Sequence, residues 1–287
     1  MTASRALLLL LLYQRPRHPI FSPTSPWLPL NHHLPMLSFL TTATPRKHNF
    51  QSFLSGIIIG GHEAKPHSRP YMVLIQVPGK EKPSRCGGVL VRKDIVLTAA
   101  HCWGSTINVT LGAHNTEKQE TTQQIIPVKE TIRHPDFIYE KLSNDIMLIK
   151  LERKAKLTAA VRTLNLLWGK AQVTPGQVCS VAGWGQDSMG ISANILQEVE
   201  LTVQKDVECE SRYRPFYSRA TQICVGDPKK MKNSVRGDSG GPLICNNMVQ
   251  GISSYGQLSG NPPGVFTKVS YYLSWIKRTM KHLKQQA

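Results

Sequence analysis

The chain has 287 residues, 40% hydrophobic and 18% charged, which excludes a highly charged disordered polymer and leaves enough chain for one large domain or two small ones. Lys and Arg outnumber Asp and Glu by 35 to 18, a surplus of +17 that suits polyanionic partners. No apolar run reaches about 18 residues, which excludes a membrane-spanning helix, and six cysteines permit three disulfides in an oxidising compartment.

The composition breaks near residue 57. Residues 1–57 hold seven of the nineteen prolines and no cysteine, Asp or Glu. Five of the 17 surplus charges fall there (Arg5, Arg15, Arg17, Arg46 and Lys47), which leaves +12 for residues 58–287. A leucine run at 7–12 behind Arg5 suits a secretory signal, although Tyr13-Gln14-Arg15-Pro16 stands where a small-residue cleavage site belongs. Residues 13–56 read as a Pro-rich, disordered stretch. His32-His33 has no further ligand at useful spacing and reads as solvated linker.

From residue 58 onward, β-branched and apolar runs predict strands at 71–77, 94–98, 107–111, 146–151, 178–183, 195–203, 243–253 and 264–269. Gly, Pro, Asn and Asp punctuate them, as in an all-β barrel or sandwich. One helix is predicted at 271–284, where Leu273, Ile276, Met280 and Leu283 form a single apolar stripe.

Three separated motifs carry residues suited to acyl chemistry. In Leu97-Thr98-Ala99-Ala100-His101-Cys102, a histidine follows a buried-looking strand. In Ser143-Asn144-Asp145-Ile146-Met147-Leu148, an aspartate opens an apolar strand, where a buried carboxylate needs a strong partner. In Gly237-Asp238-Ser239-Gly240-Gly241-Pro242, a serine sits between glycines that let backbone N–H groups approach a reacting carbonyl. Singly these read as a core histidine, a strand-start cap and a tight turn. Their joint occurrence in the order His, Asp, Ser is what carries weight.

With Ile58-Ile59-Gly60-Gly61, Cys86-Gly87-Gly88, Gly183-Trp184-Gly185 and Ser254-Tyr255-Gly256, these motifs make residues 58–287 resemble the trypsin-like (chymotrypsin-fold) serine proteases. Segments 60–72 and 108–115 resemble the granzymes, B and H in particular. The resemblance implies two six-stranded antiparallel β-barrels, about 58–165 and 166–287, closed by a C-terminal helix. Residues 1–57 would be a signal, propeptide or disordered segment. It implies a serine endopeptidase with Ser239 as nucleophile, His101 as general base and Asp145 as its orienting partner. The N–H groups of Gly237 and Ser239 would form the oxyanion hole. A new N-terminus at Ile58 would pair with Asp238 and convert a zymogen into the enzyme. Granzymes carry an acidic-ended activation dipeptide there, cut by a dipeptidyl peptidase, whereas this chain has Gly56-Ile57. The implied disulfides are Cys86–Cys102, Cys179–Cys245 and Cys209–Cys224. Residue arithmetic alone leaves all fifteen pairings of six cysteines open.

By the same resemblance, Asn233 lies at the base of the pocket for the residue before the cut, with Gly256 and Gly264 on its walls beside Ser254 and Tyr255. Leu142 lines the adjacent subsite and Arg236 faces acidic groups near it. Neutral Asn233 disfavours cutting after Lys or Arg. Granzyme B takes Asp through an Arg at the position of Gly264, and granzyme H has the same glycine as this chain. Two glycine walls leave room for a ring, so cutting after Phe, Tyr, Leu or Met is expected. The alternatives are granzyme B-like cutting after Asp, or a catalytically silent glycan-binding or antimicrobial homologue. No cofactor or metal is implied, and no C-x-x-C occurs. Expected partners are protein substrates, sulfated proteoglycan in cytolytic secretory granules and serpin-type inhibitors, with no sequence-specific nucleic acid. Asn108-Val109-Thr110 is a glycosylation sequon in a secreted chain.

Overall fold

The computed structural model describes residues 60–79, 84–166, 173–185, 192–230, 238–257 and 261–285. Strands β2 (Met72–Val77), β3 (Ser84–Arg92), β4 (Ile95–Thr98), β5 (Asn108–Leu111), β6 (Gln124–Arg133) and β7 (Met147–Leu151) form a closed antiparallel barrel in the order β2-β3-β4-β7-β6-β5. Val73, Ile75, Val109, Leu111, Ile126 and Leu148 are buried in it. Closure leaves no unpaired edge.

The second half is built on a seven-stranded sheet. Its members are β1 (His62–Glu63), β8 (Val178–Gly183), β9 (Gln197–Thr202), β10 (Gln222–Val225), β11 (Pro242–Cys245), β12 (Met248–Tyr255) and β13 (Gly264–Lys268). The order is β1-β9-β8-β11-β12-β13-β10. Six of these curl until Val203 bridges Val225, with Gln204 N–H donating to the Cys224 carbonyl at 2.8 Å and Gly226 N–H to that of Thr202 at 2.9 Å. The seventh, β1, adds to the outer edge of β9. Val181, Val199, Leu201, Ile223, Leu243 and Phe266 fill this second core.

A short helix α1 (Asp206–Arg212) precedes β10, and α2 (Val269–Gln285) closes the chain. The α2 stripe includes Ile276 and Leu283, fully buried, and the partly buried Leu273 and Met280. It begins earlier than expected because Val269 and Tyr272 are buried as well. No helix among the described residues is long and apolar enough to cross a membrane. All three expected disulfides form: Cys86–Cys102, Cys179–Cys245 and Cys209–Cys224. Each bridge typically stabilises by about 2–4 kcal/mol.

Candidate active site

Strand β4 is apolar and wholly buried, and it delivers the chain through Ala99 into a three-residue 3-10 turn, Ala100–Cys102. His101 in that turn faces Asp145. The backbone N–H of His101 donates to Asp145 Oδ1 at 2.9 Å, and ring Nδ1 lies 2.7 Å from Oδ2. Ser254 Oγ donates to the same Oδ2 at 2.5 Å, and Thr267 Oγ1 donates to the Asp145 backbone carbonyl at 2.8 Å. Asp145 is fully buried, so these donors are what make a carboxylate tolerable there. A carboxylate at Nδ1 fixes the proton on that nitrogen and leaves Nε2 with a free lone pair. Ser254, expected beside the pocket walls, also supports Asp145 through its hydroxyl. Thr267 is not distinguishable in sequence from any other strand hydroxyl.

Ser239 is brought to the same place by its backbone. Its carbonyl accepts from Gly87 N–H at 2.8 Å, beside the Cys86–Cys102 bridge that flanks His101. Gly240 N–H donates to Ser253 O at 2.8 Å and Gly241 N–H to Asp238 O at 2.9 Å, which closes a tight turn against β12. Gly240 has φ +78°, and a Cβ there would lie 2.2 Å from Thr98 Oγ1 and 2.6 Å from Gly87 O. Only glycine fits such a position.

Asp238 is fully buried, with Oδ1 accepting from Gly185 N–H at 2.9 Å. A Cβ on Gly183 would stand 2.1 Å from that oxygen and one on Gly185 2.6 Å from it, so the Gly-Trp-Gly motif is a cradle for this carboxylate. Ile58, Asn233, Arg236 and Gly237 lie outside the described residues.

Tyr255, Gly256 and Gly264 come together where β12 ends and β13 begins. A Cβ on Gly256 would meet the Gly264 Cα at 3.7 Å, so two bare backbones face each other. Behind them Tyr213 packs edge-on against Tyr255 at 5.5 Å, donates its hydroxyl to Pro263 O at 2.5 Å and takes the Gln257 backbone as a further partner. The Tyr255 hydroxyl donates to Gln222 Oε1 at 3.3 Å. Burial pushes both phenols up, and Asp145 adds to the effect at Tyr255, so both remain protonated donors. Tyr213→Phe removes a hydroxyl shared by both walls. It is expected to destabilise by roughly 1–3 kcal/mol and to raise KM more than it lowers kcat, measured by urea unfolding and steady-state kinetics.

Leu142 ends a 3-10 turn (Tyr139–Lys141) with φ 47°, half-buried, three residues before Asp145. Asn108 is exposed at the start of β5, while the sequon's Thr110 is buried in the barrel. Cys86, His101 and Cys102 place nitrogen and sulfur within 4.8 Å of one another, but the sulfurs are bonded to each other and offer no thiolate to a metal.

Residues 58–276 match the family model described as Trypsin. Human granzyme H is 65% identical over 226 residues, covering 79% of this chain and 92% of that protein. Human granzyme B is 59% identical over 228 residues, with the same two coverages, and mouse cathepsin G is 53% identical over 227 residues, covering 79% and 87%. The solved structure of GrC superposes with a TM-score of 0.76 at 55% identity, over 78% of this chain and all of that one.

Proposed function

From the premise that this chain belongs to the trypsin family of serine proteases, as a granzyme-type serine endopeptidase, we propose that it cuts proteins after Phe, Tyr, Leu or Met. The observation that carries this reading is the pair of bare glycine walls, Gly256 and Gly264. A substrate carboxylate there would lose its water and meet no cation from position 264, a loss of several kcal/mol, on the order of ~3–5. A ring or branched chain would instead gain by burial, about 25 cal/mol per Å².

In the proposed mechanism His101 Nε2 takes the Ser239 proton as the hydroxyl attacks the scissile carbonyl. The imidazolium so formed is held by Asp145, which the Ser254 hydroxyl and the His101 N–H keep in line. The N–H groups of Gly237 and Ser239 receive the developing oxyanion. His101 then returns the proton to the leaving amine, and a water repeats the sequence on the acyl-enzyme. The buried Asp238 is the partner proposed for the ammonium of Ile58 after cleavage of the precursor, since a buried charge is tolerated only when paired. Glycosylation at Asn108, storage in cytolytic granules on sulfated proteoglycan, serpin-type inhibition and a part in lymphocyte killing belong to the same reading.

The test uses enzyme beginning at Ile58, a peptide library varied at the residue before the cut, and Ser239→Ala as control. Preference for Phe, Tyr, Leu or Met is expected, and absent from the control. Gly264→Arg is expected to reverse it toward Asp by roughly 10–200-fold in kcat/KM. An Asp preference in the unaltered enzyme would overturn the pocket reading in favour of granzyme B-like specificity. No turnover at all would favour a silent glycan-binding homologue.

A further inference from the structure

The loop that runs into Asp145 is fastened at its start by His134. The His134 N–H donates to Ile146 O at 3.0 Å, and its carbonyl accepts from Phe137 N–H at 3.0 Å. Ring Nδ1 accepts from Asp136 N–H at 3.3 Å, while the ring stands between Tyr272 and Trp275 of α2, at 5.2 and 5.0 Å. The connection continues from Asp136, whose carbonyl accepts from Asn144 Nδ2 at 2.8 Å. Asn144 Oδ1 in turn accepts from the Tyr272 hydroxyl at 2.9 Å. Asn144 and Leu142 have φ of 54° and 47°, so surrounding contacts hold this backbone against its own preference. Of these links the Asp136 N–H bond is the one made to Nδ1, and it fixes the residue whose carbonyl receives Asn144; Nδ1 accepts only while the ring is neutral.

We propose that His134 is a positioning residue: its neutral ring holds residues 135–144, and through them Leu142 and Asp145, in the working geometry, and its protonation releases them.

The charges around the ring are few. Asp136, on the same loop, favours the cation. Arg278 on α2 opposes it, and the Asp145 carboxylate lies beyond Tyr272. Arg133 is engaged over the Trp103 ring at 4.5 Å. Burial outweighs the opposing effect of Asp136, the smaller effect of Arg278 adds to it, and His134 is kept below the usual histidine range. The stability contributed by the neutral ring is complete above the ordinary histidine value, about 6.5, and is lost as pH falls through the lowered folded value.

The inference rests on His101 as the general base of the proposed mechanism. The acid limb of kcat/KM of the enzyme beginning at Ile58 is expected to carry two protons, one of them that of His134, and to steepen to about 100-fold per pH unit. His134→Asn offers an oxygen near the place of Nδ1 and cannot titrate. It should restore the alkaline plateau to within about threefold and keep a one-proton limb, about tenfold per pH unit, throughout. Arg278→Gln should move the His134 step to higher pH without changing the plateau, and it decides the matter if His134→Asn fails to fold. Protection of the amides of residues 136–144 in Ser239→Ala, measured relative to intrinsic exchange at each pH, should fall in acid as His134 titrates. That readout is independent of turnover, so it separates failure of this inference from failure of the His101 assignment. A one-proton limb in the unaltered enzyme, a two-proton limb in His134→Asn, or protection indifferent to pH would each overturn it.

Discussion

Asp145→Asn is expected to lower kcat about 10⁴-fold with KM little changed, a magnitude carried over from the prototype triad of this fold. At 1.36 kcal/mol per tenfold that is about 5.5 kcal/mol of barrier. The reason lies in which atoms donate. The Asp145 carboxylate accepts from the His101 N–H, the His101 ring and the Ser254 hydroxyl. An amide in its place carries two hydrogens and only one acceptor oxygen. If the amide nitrogen faces Nδ1, that nitrogen must become the acceptor, the proton moves to Nε2, and Ser239 has no base. Because Asn differs little in size, the fold should persist, so unfolding curves should overlay while turnover collapses. A loss under about tenfold would mean that Asp145 does not set the His101 tautomer.

Asp94→Ala is expected to destabilise the protein by about 3–5 kcal/mol, read by urea or thermal unfolding with the disulfides intact. Asp94 is buried and accepts from Lys150 Nζ and from Arg92 Nε, the latter at 2.6 Å. Lys150 is itself only 5% exposed. Burial alone would raise the Asp94 carboxyl, but its bonds to Lys150 and Arg92 more than offset that and lower it. A folded value below the unfolded one contributes stability above the ordinary carboxylate range, and that contribution is lost as pH falls through the folded value. Truncating Asp94 strands the buried Lys150 ammonium. It also frees Arg92, whose Nη1 donates to the Met280 carbonyl at 3.0 Å and so holds the last turns of α2. For a domain of this size the loss corresponds to roughly 6–20 °C in Tm. Replacing Asp94 and Lys150 together by Leu and Met should be far milder, since no buried ammonium is left unpaired and only the partly exposed Arg92 loses its partner. If Asp94→Ala costs under about 1 kcal/mol, the pair is not the tie described.

The motifs around Asp238 and Ser239 stand out in the sequence because they join an unusual residue to glycines that the fold requires. Gly183 and Gly185 face Asp238, and Gly240 faces Thr98. Strands whose apolar pattern is interrupted were not legible. In β6, Pro127, Lys129, Glu130 and Arg133 interrupt the apolar pattern, and a register shift between Val128 and Glu130 breaks the two-residue period. In β3, Gly87 and Gly88 depress strand propensity, yet a Cβ on Gly87 would stand 2.9 Å from the Gly241 Cα. The predicted run 243–253 is two strands. Asn246 and Asn247, with φ of 52° and 58°, make the hairpin turn that an Asn-Asn pair can supply. The short β1, β10 and α1 fall below the length at which periodicity speaks. Lys150 on a buried strand reads as a surface charge until Asp94 and Arg92 are seen beside it.

Strand β1 is only two residues long, but it sets the reach of the proposed activation. His62 and Glu63 pair with Glu198 and Gln197 of β9, and Ala64 N–H donates to Leu196 O at 2.9 Å. An amine at Ile58 would therefore be leashed four residues from a fixed point, at most about 14 Å at 3.3–3.6 Å per residue. Its target, Asp238, is held by Gly185 just past β8, the neighbour of β9 in the sheet. A leash that short presents the amine at an effective concentration on the order of millimolar or above, whatever the dilution of the protein. Activation is then a unimolecular event governed by tether length, and a free Ile-Ile-Gly peptide offered to the uncut chain would have to match that concentration to imitate it.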